Sequence, residues 1–225
     1  MFNNGSIIYL CNYIKNIDLN GGDTTEDEWS ALITANSQKL FGRLLGVPDL
    51  YQVDAARERR GAELSRSIQQ MLRPFLVVET IAAGTIDLSS KDLAYFLAME
   101  PTSISGRGFD ELDPSEVAAR IGDSVVAPTE DDPAFEWYDG NTIITYPSTI
   151  LQVVLKYYKY PTDADVVFTQ NPETLRKTYD ATASTETGWG KKELIEIAYM
   201  CLRDSGMNLT RTELTQYANQ IVENE

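Results

Sequence analysis

Residues 188–222, GWGKKELIEIAYMCLRDSGMNLTRTELTQYANQIV, decide how the rest of the chain is read. Leu194, Ile195, Ala198, Cys201 and Leu202 recur at intervals of three and four, and Leu209, Leu214, Tyr217, Ala218 and Ile221 repeat the pattern. That spacing predicts two amphipathic helices, each with one stripe to bury. Gly206 stands where a left-handed residue would close the first helix, and Thr210 with Glu213 forms a capping box for the second. A hairpin of this kind needs other helices to cover it.

The N-terminal part supplies them. Residues 6–17 carry Ile7, Tyr9, Leu10, Tyr13, Ile14 and Ile17 at mostly helical spacing and end at the breaker run NGGD. Thr25 and Glu28 form another capping box, followed by Trp29, Leu32, Ile33, Leu40, Phe41, Leu44 and Leu45, with Gly46 and Pro48 as stops. After a connecting loop, Ala62, Leu64, Ile68, Met71 and Leu72 predict a third helix that ends ahead of Pro74.

From Phe75 the period changes. FLVVETIAAGTIDL predicts two short strands turning at Gly84, and LAYFLAME a further strand. DPSEVAARIGD predicts a short helix capped by Asp113 with Pro114 at its first position, and FEWYDGNTIITY a hairpin at Asp139-Gly140. In ILQVVLKYYKYP, Leu151, Val153, Leu155 and Tyr157 alternate with polar neighbours, as in a half-buried strand. Residues 161–188 are threonine-rich, with one apolar cluster at Val166, Val167 and Phe168; they suit either an exposed loop or an arm that orders against a neighbour.

The expected fold class is therefore α+β: a helical bundle from the N- and C-terminal helices, with an antiparallel β lobe in the middle. The expected divisions are an N-terminal helical part (1–74), the β-rich lobe with one short helix (75–168), a polar loop or arm (169–187) and the C-terminal hairpin (188–225).

Composition narrows the function classes. The 225 residues suffice for a substantial core, and 43% hydrophobic with 24% charged side chains argues against wholesale disorder. Thirty-four acidic against 19 basic residues give a net charge of -15, which disfavours contacts with phosphate backbones and anionic membranes. Plain solubility accounts for that charge, and so does a channel wall along which DNA slides without sticking. The chain has no histidine, which removes Ser-His and Cys-His nucleophile pairs and the usual zinc sets. Cys11 and Cys201 sit in helical stripes and read as core. The acidic runs FDELD and TEDDP lack the donor spacing of a calcium loop, and the GRG and GWGKKE turns do not match a phosphate loop. Arg57, Arg59, Arg60 and Arg66 are interleaved with acids and read as a solvated helix face. No cofactor or metal site, no catalytic constellation, no signal peptide and no membrane span is expected.

The short N-terminal helix with NGGDTTEDEW (20–29), then LITANSQKLFGRLLGVPDLYQ (32–52), LRPF (72–75), DPSEVAARIGDSVVAPTEDDP (113–133) and WGKKELIEIAYMCLRDSGMNLTRTELTQYANQ (189–220) follow one another along the chain. That order resembles a family: the head-to-tail connector, or ring, proteins of crAss-like and other Bacteroidetes tailed bacteriophages. The resemblance implies a non-enzymatic virion protein, made in the bacterial cytoplasm, that closes into a ring of about twelve copies below a portal. Its partners would be copies of itself, the portal and other connector or tail proteins, with DNA passing through the lumen. The region around AAGTIDLSSKDLAYFLAMEP and SISGRG departs from the pattern. Trp137, Tyr157, Tyr158 and Tyr160 are the expected aromatic interface anchors, with Val166, Val167 and Phe168 docking on a neighbour. A soluble binding or assembly-factor module, monomeric or dimeric, is the alternative.

Overall fold

The computed structural model describes residues 3–17, 25–46, 66–103, 106–113, 115–123, 125–170, 172–173 and 177–205. The second helix of the C-terminal hairpin, with Gly206 and the Thr210 box, lies outside these residues, as do Ala62, Leu64, Pro114 and the Arg57, Arg59, Arg60 cluster. The fold is mixed α and β with antiparallel sheets, and the chain divides into two compact units.

The first unit holds α1 (Asn4–Ile17), α2 (Glu26–Leu45), α3 (Arg66–Leu72) and α5 (Lys191–Asp204). The start of α2 is fixed by the capping box: the Thr25 hydroxyl accepts from the Glu28 amide at 3.3 Å, and the Thr25 amide donates to Glu28 Oε2 at 2.8 Å. Gly46 ends the helix in the left-handed region, at φ 78°. α5 packs on both α1 and α2. It buries Leu194, Ile197, Ala198, Met200, Cys201 and Leu202, whereas Ile195 is only half-buried. Ile7, Ile8, Leu10 and Cys11 of α1 and Trp29, Ile33, Leu40 and Phe41 of α2 are buried in the same unit, while Tyr9 is exposed. Both thiols point at helix carbonyls, Cys11 Sγ at Ala198 and Cys201 Sγ at Leu32, each at 3.8 Å.

Residues 161–187 belong to this helical unit and are not a free arm. The amides of Ala164 and Val166 donate to the hydroxyls of Thr34 (2.8 Å) and Ser30 (2.9 Å) on α2. β8 (Phe168–Gln170) and β9 (Lys177–Tyr179) pair as a small antiparallel ribbon. Glu186 then accepts from the Asn4 amide at 2.8 Å, at the positive end of α1, and from the Tyr179 hydroxyl at 2.7 Å. Side-chain hydroxyls and one carboxylate hold a strap whose own residues are mostly polar.

The second unit covers residues 75–160, so the β-rich part ends at Tyr160 and not at residue 168. A three-stranded antiparallel sheet runs in the order β1 (Leu76–Ala82), β7 (Gln152–Lys159), β3 (Leu93–Pro101). The other sheet orders β2 (Thr85–Asp87), β6 (Thr142–Tyr146), β5 (Ala134–Trp137) and β4 (Asp110–Glu111), with β4 parallel to β5. Thus β1 and β2 do not pair with each other: the chain turns a corner at Gly84 (φ 101°) and changes sheet. The Gly84 amide donates to Thr145 Oγ1 (2.7 Å) and its carbonyl accepts from the Thr145 amide (2.9 Å), which fixes that corner. Both sheets contribute to one core that includes Ile86, Met99, Phe135, Ile143, Val153 and Leu155.

Candidate interaction surface

From β4 to the approach of β5 the sequence packs eight acidic residues and one basic residue, Arg120, into positions 110–132, and all eight acids are exposed. Asp113 makes an Asx turn, accepting from the Ser115 hydroxyl (2.6 Å) and amide (2.9 Å); these bonds hold its carboxyl below the usual range. The turn delays α4, which spans Val117–Gly122 and opens at Glu116, so Asp113 is not its N-cap. α4 sets the Arg120 guanidinium 3.6 Å from Asp110 and 3.3 Å from Asp132, joining the two acidic runs that the sequence presents separately. Arg107 adds a bond to the Asp131 carbonyl.

After α4, Asp123 Oδ1 accepts from the Val125 amide, and Thr129 and Asp132 exchange backbone bonds. Arg120, Val125, Val126, Ala127, Thr129 and Asp132 line an open groove of about 390 Å³. Val125 is 87% and Val126 51% exposed, and Ile121 on α4 is also exposed. Val125 and Val126, held out of the core in an acid-rich stretch, make this groove the candidate interaction surface. The SVVA step between Asp123 and Pro128 was the signal in the sequence for it.

The aromatic anchors expected from sequence do not form one surface. Tyr157 and Tyr158 are each 4% exposed. β7 is the central strand of its sheet, and both tyrosines are buried on it. The Tyr157 hydroxyl donates to Glu79 Oε1 at 3.2 Å, while Lys91 holds Glu79 Oε2 at 2.8 Å. Burial and then Glu79 raise the Tyr157 phenol above its ordinary pKa, and burial alone raises Tyr158. Trp137 is half-buried, its ring edge-on to Phe96 (5.7 Å) and Phe135 (6.5 Å). Val166 is buried in the strap and Val167 and Phe168 are half-buried, Phe168 against the Tyr179 ring. Only Tyr160 of the seven is exposed. Leu151, expected on the buried face of the strand, precedes it and is 79% exposed.

No protein-family model matches the chain, and no curated protein matches it. Among the described residues no helix is long and apolar enough to cross a membrane, and no group of three acidic or thiol side chains is arranged to hold a metal.

Proposed function

We propose that this protein is a non-enzymatic structural subunit of a bacteriophage virion, one of about twelve copies in a closed head-to-tail connector ring below the portal. In this arrangement the helices from both ends of the chain form a bundle, and the β-rich lobe supplies contacts to neighbouring subunits. The observation that carries the reading is where exposed large hydrophobics fall. Among the described residues, Leu76, Val78, Ile121, Val125, Val126, Tyr138, Leu151 and Tyr160 lie within 75–160, and Tyr9 and Met71 alone lie outside. Among the described residues that distribution favours the β unit as an apolar surface for assembly. The net charge of -15 suits a lumen that DNA crosses without being held.

The second reading, a soluble binding or assembly-factor module, is favoured by the Val125 groove, which needs no second copy to form. Native mass spectrometry with negative-stain imaging, with and without the portal of the same virion, separates the two. Closed rings support the connector; a protein that stays monomeric and never joins the portal overturns it.

A further inference from the structure

We propose that the groove beside Arg120 docks a cationic segment of a partner protein, through apolar side chains seated on Val125 and Val126. The inference rests on the reading of the β unit as an assembly surface, though not on ring closure. Its apolar floor is open: Val125 is the most exposed large hydrophobic among the described residues, at 87%. The rim determines what can occupy it. Of the lining residues Arg120 is shared between Asp110 and Asp132, and the exposed Asp123, Glu130 and Asp131 lie close to the lining residues in sequence, with Arg107 reaching only the Asp131 backbone carbonyl. The excess of carboxylates over cations in this stretch attracts lysine and arginine and repels nucleic acid and anionic membranes. Charge steers the segment in, and burial of the two valines supplies the specificity that charge alone lacks.

The test titrates the full-length chain, by fluorescence anisotropy, against three labelled peptides of equal length. One alternates lysine with leucine, one lysine with serine, and one glutamate with leucine. The lysine–leucine peptide is expected to bind, the lysine–serine peptide about tenfold more weakly, and the glutamate–leucine peptide not at all. Val125→Ser with Val126→Ser should weaken the lysine–leucine peptide about tenfold, while Leu151→Ser, at an equally open apolar position, leaves it unchanged. Equal binding of both lysine peptides, indifference to the valine changes, or no binding overturns the proposal. Rings that form although no peptide binds would remove the docking site and keep the connector; peptide binding by a chain that never forms rings would do the reverse.

Discussion

The indole N–H of Trp189 donates to the hydroxyl of Ser37 across 2.7 Å, between buried residues 152 positions apart in the sequence. The bond joins the residue pair ahead of α5 to the middle of α2, and the Trp189 ring also stands edge-on to Phe41 at 6.3 Å. Ser37→Ala removes the acceptor from a buried donor and should cost about 1 kcal/mol in urea unfolding. Combined with Trp189→Phe, the loss should be less than the sum of the two single changes. Additive losses would mean that the bond contributes nothing.

Gly5 lies in the first turn of α1, where alanine would ordinarily stabilise a helix by up to about 1 kcal/mol. Here an added Cβ comes far inside van der Waals contact with Tyr179 Cδ1. Gly5→Ala should therefore destabilise by about 1–3 kcal/mol. With Tyr179→Ala already in place the same change should become neutral or stabilising, and thermal unfolding of the four proteins gives the sign directly.

Thr25→Ala removes the capping hydroxyl of α2 and should cost about 1 kcal/mol, whereas Thr25→Ser should cost much less. Amide exchange should quicken at Glu28, whose N–H the hydroxyl holds, and not at the Gly46 end of the helix.

Alkaline pH should loosen both units. Burial, then the Glu136 carboxylate to which its hydroxyl donates, pushes the Tyr146 phenol up to about 12. Burial and then Glu186 do the same for Tyr179, also to about 12. An unfolded phenol ionises near about 10, so the folded state favours the protonated form. This contribution is complete below about pH 10 and is lost as pH rises through about 12. Urea midpoints measured across that window should fall, and Tyr146→Phe should flatten the decline.

What was legible in the sequence is local. The Thr25 box, the stop at Gly46, the hairpin at Asp139-Gly140 and the apolar alternation of Val153, Leu155 and Tyr157 all report on neighbours within a few residues, and all are present. Tyr158 was not legible as interior, because alternation puts it on the face opposite Val153, Leu155 and Tyr157, a face that it reads as wet, yet Tyr158 is buried. The strap was read as a loop or arm because its backbone partners are hydroxyls on α2, which composition cannot place. The groove was missed for the same reason: Asp110 and Asp132 meet only through Arg120.

The corner at Gly84 has a bearing on biosynthesis. β1 waits for β7 and β2 waits for β6, so one sheet cannot close until the ribosome has released the chain through Tyr146, and the other until Lys159. α1 and α2 wait longer still, for α5. A chain emerging from its N-terminus would therefore complete its inserted, middle unit first, while its oldest helices stay uncovered and in need of protection until the last.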